Sequence, residues 1–225
     1  MVYWMHRDFR AADNWGLTCA RLEALRLGRP VAVVFCLAPS FGAATTAHFD
    51  FLLQGLEETD AALRREGIPL FALRGEPGRE VAAFARAHDA ALVVTDFDPL
   101  RAKRDWARDL LDASAQPVWE VDSRNIVPAR EATDRREYMA KTIRPRIRRQ
   151  LHEFLDNFPA LPPQPRRLLQ PFGASALRHD LGPARGARNH GPQAVRRARG
   201  LVSGGTNRPP RAFRQLLPPH PRLRP

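Results

Sequence analysis

PVAVVFCLAP, residues 30–39, is the stretch from which the fold of this chain is predicted. It holds an unbroken apolar run, Val31 to Leu37, that is rich in β-branched residues and is bounded by prolines. The run is too short for a buried helix and lacks a period of 3.6 residues. A run of this kind is typical of a strand covered on both faces, which lies at the centre of a parallel sheet.

Four more short apolar runs alternate with helical patterns on either side of this strand. The predicted strands are 1–5, 70–73, 91–95 and 118–121. The predicted helices begin at Asp13 or Asn14, near Thr45 or Thr46, at Pro77, and at Asp98 with Pro99. Five strands alternating with four helices predict an α/β fold: an open five-stranded parallel sheet with helices on both faces, Rossmann-like in class.

The net charge of +12 divides the chain into an organised part and a basic tail. Residues 1–158 hold 23 Lys or Arg and 23 Asp or Glu, whereas residues 159–225 hold 13 Arg, 13 Pro and one acid, Asp180. We expect an α/β domain over 1–128, a basic helical connector over 129–158 and a disordered tail over 159–225. The connector should be helical from Asp134 to Leu155, and Pro145 should kink or restart this helix.

Two origins of the tail remain open from its composition. A GC-rich gene that is read out of frame gives a segment rich in arginine and proline with few apolar residues, as seen here. The same composition fits a basic tail that has been maintained by natural selection. A basic tail could bind nucleic acid non-specifically through phosphate contacts. The high isoelectric point is therefore an argument about residues 159–225 and not about the α/β domain.

The loops after the first, second and fourth strands are the candidate ligand site. Ligands of open α/β sheets bind beyond the carboxyl ends of strands, which places 5–14, 37–45 and 96–103 at this edge. None of the loops carries a glycine-rich phosphate-binding motif. Asp96 follows a buried strand directly, and a ligand-binding role and a structural role for it are equally open.

Other reactive side chains favour structural explanations. Asp8, Asp13 and Asn14 are expected to cap a helix or to pair with nearby arginines. His6, His48 and His88 lie on different elements, so we expect no metal site. Two cysteines without a paired spacing favour a reducing cytoplasm, Cys36 is expected to be a buried apolar residue, and we expect no signal peptide and no transmembrane helix.

Several segments, in order, resemble the amino-terminal domain of class II cyclobutane pyrimidine dimer photolyases. They are YWMHRDFR with DNW over 3–15, VVFCLAPSF over 33–41, HFDFL with GLEE over 48–58, LRG over 73–75, VTDF with PLR over 94–101, VD with NIVP over 121–128, and KTIRP over 141–145. The resemblance covers about residues 1–158. It implies an α/β antenna domain that holds a light-harvesting chromophore, such as a deazaflavin.

The resemblance also implies a set of chromophore-contacting residues. They are Met5, Cys36, Leu37, Pro39, Phe41, Asp96 and Phe97. In the family a helical domain follows, binds FAD and uses light to split pyrimidine dimers in DNA. Residues 159–225 cannot be assigned to such a domain, and the last tryptophan is Trp119, so we expect this chain alone to be catalytically inactive.

Three functional hypotheses follow from the sequence. The first is a photolyase antenna domain without its catalytic half. The second is a stand-alone α/β module that binds a chromophore or a nucleotide. The third is a protein that binds nucleic acid through its basic tail, with an affinity that falls steeply as salt rises.

Overall fold

The computed structural model describes residues 1–164 and the strand Leu216–Leu217, and the predictions for the rest of the tail lie outside the described residues. The strands are β1 Val2–Trp4, β2 Ala32–Leu37, β3 Leu70–Arg74, β4 Val93–Asp96, β5 Val118–Val121 and β6 Leu216–Leu217. The helices are α1 Trp15–Leu27, α2 Thr46–Arg65, α3 Pro77–Ala87, α4 Arg101–Ala113, α5 Ala129–Ala132 and α6 Ala140–Phe154.

The sheet has the order β3-β2-β1-β4-β5-β6. The first five strands are parallel, as predicted. The sequence predicted β2 at the centre of the sheet, but the strand at the centre of these five is β1, and β2 lies between β1 and the edge strand β3. The short β6 pairs antiparallel with β5, which the sequence did not indicate. The strand order reverses at β1, because β2 lies on one side of it and β4 on the other, and this reversal defines the crevice described below.

Two cores cover the two faces of the sheet because side chains alternate along each strand. Val33, Phe35 and Leu37 of β2 pack with α1 and α2 on one face. Val34 and Cys36 of the same strand pack with α3 and α4 on the other. The unbroken apolar run of β2 therefore reflects a strand with no solvent-facing side, as the sequence predicted.

Helix α1 begins and ends at residues that the sequence indicated. The Asn14 side chain accepts a hydrogen bond from the Leu17 N–H at 2.9 Å, which satisfies a free donor of the first turn. Gly28 closes the helix with φ 61°, a left-handed conformation that glycine adopts without a steric cost. Pro77 begins α3, also as predicted.

Helix α4 begins later than predicted. Asp98 does not cap it: the helix starts at Arg101, and Leu100 stands before it in an extended conformation. The Asp98 carboxylate accepts a hydrogen bond from the Leu100 N–H at 3.0 Å, two residues on. Proline disfavours a helical conformation at the residue before it, so Asp98 closes a turn around Pro99 instead.

The connector contains two helices that pack on the end of the α/β domain. Val127, Ala132 and Phe154 form a small apolar cluster with Ile147 and Leu151. The predicted helix from Asp134 begins only at Ala140, because the Thr133 hydroxyl accepts from the Arg135 N–H at 3.2 Å and stabilises a turn there. Pro145 lies inside α6, which continues through it.

Residues 158–164, the return segment, run back along α1 without regular secondary structure. Phe158 stacks on Trp15 with ring centroids 4.2 Å apart. The Arg21 guanidinium donates to the carbonyl oxygens of Leu161 and Pro162. Gln164 accepts from the Val31 N–H at 2.6 Å, so the chain is hydrogen-bonded to the sheet domain beyond the predicted boundary at Phe158.

Candidate functional site

The carboxyl ends of β1, β2 and β4 meet at one edge of the sheet. Trp4 pairs with Val34 on one side and Thr95 on the other, so the loops that follow these three strands begin side by side. This is the edge at which open α/β sheets bind ligands. The three loops expected from the sequence are therefore neighbours in space.

Asp96 holds the loop that follows β1. Its Oδ2 accepts hydrogen bonds from the backbone N–H groups of His6, Arg7 and Asp8 at 2.8 to 3.0 Å. Its Oδ1 accepts from the Tyr3 hydroxyl at 2.5 Å. Three consecutive N–H groups form the kind of concavity that binds an anion, and the chain fills this one with its own carboxylate. The contacts favour the structural role of the two left open for Asp96.

A buried polar network surrounds the Tyr3 hydroxyl. Asn14 Nδ2 donates to the Tyr3 oxygen at 3.0 Å and to the Asp8 carbonyl at 3.1 Å. The Ser123 hydroxyl accepts from the Gly16 N–H at 2.9 Å. Burial, followed by the charge of Asp96, holds the pKa of Tyr3 well above its usual range, so Tyr3 remains a neutral donor.

Four of the seven residues that the resemblance implies are buried. Met5 and Leu37 belong to the core beside α1 and α2. Cys36 belongs to the opposite core, and burial raises the pKa of its thiol to about 12, which makes it an inert apolar residue as expected. The fourth residue, Asp96, is hydrogen-bonded to the loop after β1. These four buried side chains therefore stabilise the edge of the sheet from within.

The other three residues are accessible at this edge. Pro39 is exposed, and Phe41 and Phe97 are half-buried. The Phe97 ring lies beside the Arg130 guanidinium, 5.4 Å from its centroid. The Phe41 ring lies on the side of α4, with its centroid 5.7 Å from that of Trp106.

Lys103 joins Phe41 and Trp106 in a cluster that the sequence analysis did not identify. Its Nζ lies 5.1 Å from the Phe41 ring centroid and 4.5 Å from that of Trp106, and it donates to the His6 carbonyl at 2.9 Å. Burial lowers the pKa of Lys103 to about 8, which Asp98 and Asp96 partly oppose. We call Phe41, Lys103 and Trp106 the aromatic–lysine cluster. A partly desolvated cation is attracted to the faces of both aromatic rings, so the contact is favourable.

His6 is the second feature of the site that sequence reasoning missed. Its side chain is 4 % exposed and lies 4.7 Å from the Trp4 ring. Neither of its ring nitrogens has a hydrogen-bond partner within the described structure. Burial lowers the pKa of His6 to about 4, although Asp96 opposes the shift, so the ring is neutral at pH 7. Unpaired buried polar atoms are uncommon and call for an explanation.

A small hollow lies at the opposite, amino-terminal edge of the sheet. It has a volume of about 70 Å³ and is bordered by Phe71, Phe84, His88 and Gln164, among others. Ligand pockets for drug-sized molecules are usually ~300 Å³ or more. The hollow is remote from the strand ends that the fold uses for ligands, so we do not assign the site to it.

Metal and membrane features are absent from the part of the chain that the structure describes. Within residues 1–164 no three His, Cys, Asp or Glu side chains stand close enough together to hold a metal ion. No helix among the described elements combines the length and apolar character needed to cross a bilayer. Cys19 and Cys36 are both unpaired.

Comparison with known sequences gives a consistent set of relatives. The family model described as DNA photolyase matches residues 1–165. A deoxyribodipyrimidine photo-lyase of Potorous tridactylus is 44 % identical over 160 residues, which are 70 % of this chain and 30 % of that protein. One of Arabidopsis thaliana is 38 % identical over 165 residues, 72 % of this chain and 33 % of that protein. The chain thus spans about a third of the length of these relatives.

Comparison with solved structures supports the fold. A cryptochrome of Synechocystis sp. PCC6803 superposes with a TM-score of 0.56 at 18 % identity. The match covers 67 % of this chain and 33 % of the cryptochrome. At this level of identity the similarity concerns the α/β architecture and no particular residue.

Proposed function

Because the chain belongs to the DNA photolyase family, we propose that residues 1–128 are a photolyase antenna domain, of class II by the segments quoted above. The domain would hold a planar, deazaflavin-type chromophore at the carboxyl ends of β1, β2 and β4. When bound, such a group supplies absorption of light. The observation that carries the proposal is the half-buried Phe41 ring, which lies beside Lys103 and Trp106 at this edge.

The chemistry of the edge fits a planar, partly polar ring system. Phe41 and Trp106 provide aromatic faces, and Lys103 provides a cation between them. His6 adds two ring nitrogens without partners in the described structure. Because Asp96 fills the N–H concavity of the first loop, a free phosphate would find no vacancy there. The edge therefore favours a ring system over a phosphate group.

The seven implied residues have two proposed roles. Pro39, Phe41 and Phe97 are accessible and would contact the chromophore. The four buried residues, Met5, Cys36, Leu37 and Asp96, would fix the positions of the loops that carry those contacts. His6 and Lys103 extend the set on the side of α4.

Titration with a soluble deazaflavin tests the antenna proposal. Tryptophan emission of the full chain should be quenched with a saturable dependence on the deazaflavin concentration. Phe41→Ala should raise the dissociation constant of the deazaflavin about 3- to 10-fold, because it removes one ring contact with the chromophore. Phe51→Ala is the matched control, because this phenylalanine is 80 % exposed on α2 and is not among the residues assigned to the site. Binding that is absent, or equally weakened in both variants, would reject the site.

A second proposal concerns repair. We propose that the α/β domain by itself does not bind FAD or split pyrimidine dimers, because the family resemblance assigns both activities to the helical domain that follows it in the family. The purified chain should show no flavin absorption and no light-dependent repair of an irradiated oligonucleotide. Either activity, clearly present, would overturn the proposal. The family resemblance leads us to expect DNA that contains pyrimidine dimers as a partner. The cysteine content leads us to expect a cytoplasmic location.

The stand-alone module is the alternative, and competition separates it from the antenna domain. A nucleotide-binding module should bind ATP or dAMP with saturation, and the nucleotide should displace a deazaflavin. An antenna domain should retain the deazaflavin when millimolar nucleotide is added. The Asp96 contacts favour the second outcome, since they occupy the N–H groups that a phosphate would use.

A further inference from the structure

Strand β5 lies at one end of the parallel strands, and its outer side can accept a further strand. The Val93 N–H of β4 donates to the Pro117 carbonyl oxygen at 3.0 Å. Four residues on, the Phe97 N–H donates to the Val121 carbonyl oxygen at 2.8 Å. Successive residues of a strand direct their backbone groups to opposite neighbours. The odd-numbered residues of β5 therefore bond to β4, and the N–H and C=O groups of Glu120 face outward.

The outward groups of β5 are paired with β6. Glu120 stands opposite Leu217, and Val121 stands opposite Leu216, in an antiparallel ladder. Because the backbone of Glu120 faces outward, Glu120 and Leu217 are the hydrogen-bonded pair of this ladder. Val121 and Leu216 are then the non-hydrogen-bonded pair, a kind in which the two Cα atoms lie about 4.5 Å apart.

The sequence around β6 explains why this strand is short. Leu216 and Leu217 end the run RAFRQLL over 211–217, which contains no proline or glycine. Proline pairs border the run at 209–210 and at 218–219. Proline has no backbone N–H and cannot donate to a ladder, so the strand cannot continue beyond Leu217.

Charge and chain length both favour pairing between the tail and its own domain. Residues 1–128 hold 15 Lys or Arg and 18 Asp or Glu, whereas residues 159–225 hold 13 Arg and one acid. Opposite net charges attract the tail to the slightly acidic domain. The 51 residues of 165–215 span up to about 170 Å when extended, so Leu216 can reach β5. Because the strand is tethered, pairing within one molecule is independent of protein concentration.

We propose that the outer edge of β5 is a docking site for an extended peptide, and that the strand Leu216–Leu217 of this chain occupies it. The peptide adds one antiparallel strand to the sheet through main-chain hydrogen bonds. An open edge strand is a template for pairing with the sheet of another molecule, and the tail shields this edge from such pairing. The site shares no residue with the proposed chromophore site, so it does not depend on the proposed function.

An engineered disulfide in the full chain tests the pairing and its register. The Cα separation of a non-hydrogen-bonded pair is within the range that a disulfide requires. We therefore expect Val121→Cys combined with Leu216→Cys to form a disulfide within one molecule on mild oxidation. Peptide mapping by mass spectrometry identifies the linked residues, and a non-reducing gel shows whether the product is a monomer.

The matched control places the second cysteine elsewhere in the tail. Val121→Cys combined with Val202→Cys keeps the same substitution in β5, and it should give at most about a tenth of the linked product. Equal yields in the two variants, or no link in either, would overturn the docking site. A disulfide that joins two molecules would assign the edge to a second copy of the chain and would overturn occupation by the chain's own strand.

Hydrogen exchange measured by NMR tests the same pairing without new cysteines. Leu216→Pro combined with Leu217→Pro removes both N–H donors of β6. The amide proton of Glu120 should then exchange at least about tenfold faster, because its hydrogen bond to the tail is lost. The amide of Trp119 is bonded to β4 and should be unchanged, which shows that the rest of the sheet is intact.

A second proline pair controls for a general effect on the tail. Leu201→Pro combined with Val202→Pro lies in the tail but outside β6, and it should leave the exchange of Glu120 at the parent rate. Exchange of Glu120 that is the same in the parent and in both variants would mean that the edge of β5 is open, and the proposal would be wrong. The same acceleration in both variants would also overturn it, because the effect would not be specific to β6.

Discussion

Asp96 shows how one side chain can fix a loop at the ligand-binding edge of a sheet. It is 1 % exposed and accepts four hydrogen bonds, three of them from backbone N–H groups. A carboxylate offers two oxygens that only accept, whereas an amide would turn a donor toward one of these donors. The loop conformation therefore depends on the carboxylate itself and not only on its shape.

Replacing this carboxylate should destabilise the domain. We expect Asp96→Asn to lower the free energy of unfolding by about 2 to 4 kcal/mol in urea, because buried donors lose a charged acceptor. Asp89→Asn is the control: its side chain is 94 % exposed in a pair with Arg29, and asparagine tolerates its φ of 47°. The control should change stability by less than about 0.5 kcal/mol. Similar losses in both would contradict the structural role of Asp96.

His6 should make stability depend on pH. Its pKa is lowered to about 4 in the folded chain, with burial as the largest cause, against an ordinary value of 6.5. As the pH falls, His6 is therefore protonated in the unfolded chain before it is protonated in the folded chain, which favours unfolding. The contribution of His6 to the free energy of unfolding is fully present above pH 6.5 and is lost between pH 6.5 and 4. Asp96, Asp98 and Lys103 face the ring and are unchanged in the comparison below.

The comparison is between the parent chain and His6→Gln. From pH 7.5 to pH 5.0 the parent should lose about 2 kcal/mol more unfolding free energy than the variant, measured by urea denaturation at both pH values. Both proteins contain the same carboxylates, so the contribution of carboxylate titration cancels when the two changes in unfolding free energy are subtracted. An identical pH dependence would mean that His6 is not held neutral by burial.

At the scale of single residues, local patterns predicted caps better than contacts. Asn14, Gly28 and Pro77 have the predicted roles because a cap depends on the next few residues. The aromatic–lysine cluster could not be predicted, because Phe41 follows β2 while Lys103 and Trp106 lie on α4. Their meeting depends on the strand order and on the path of each loop, which no short-range pattern records.

The close packing of α3 against α4 depends on one glycine. Gly78 of α3 faces α4, and a Cβ built on it would collide with the Trp106 carbonyl oxygen and would lie 2.7 Å from the Leu110 nitrogen. Both atoms belong to the backbone, so they cannot move aside without shifting the helix. Gly55 of α2, by contrast, has open space around it.

The two glycines should respond in opposite directions to the same substitution. Gly78→Ala should lower the free energy of unfolding by about 2 kcal/mol, because α3 and α4 must separate. Gly55→Ala should raise it by about 0.5 to 1 kcal/mol through helix propensity alone. Thermal and urea unfolding of the two variants beside the parent measure both changes. A stabilising Gly78→Ala would show that the helices are not in close contact.

At the scale of elements, periodicity predicted the five parallel strands and the helices between them. The strands are buried on both faces, and this environment leaves apolar runs that stand out from the amphipathic helices. The start of α4 was wrong because Pro99 lies in a turn closed by Asp98 and not at the first helical position. The start of α6 was wrong because Thr133 stabilises a competing turn.

For the whole molecule, charge and packing divide the chain differently. Charge separates a slightly acidic α/β domain from the basic α6 and the arginine-rich tail. Packing continues past the predicted boundary, because the return segment lies against α1 and the amino end of β2. Composition missed this contact, since it depends on two side chains, Phe158 and Gln164, that flank the proline-rich stretch PALPP over 159–163.

The return segment should contribute to the stability of the whole domain. Phe158→Ala removes the ring stacked on Trp15 and should lower the free energy of unfolding by about 1 to 2 kcal/mol, measured by circular dichroism in urea. Arg21→Gln releases the carbonyl groups of Leu161 and Pro162 from the same helix. Because both changes detach one segment, their combined effect should be smaller than the sum by about 0.5 kcal/mol or more.

Phe51→Ala serves again as the control, since an exposed phenylalanine of α2 should change stability by less than about 0.5 kcal/mol. Additive effects of Phe158→Ala and Arg21→Gln would mean that the two contacts act separately and that the segment is not held as a unit. A coupled loss would instead make residues 158–164 part of the α/β domain, because a segment that only follows the domain cannot share its unfolding transition.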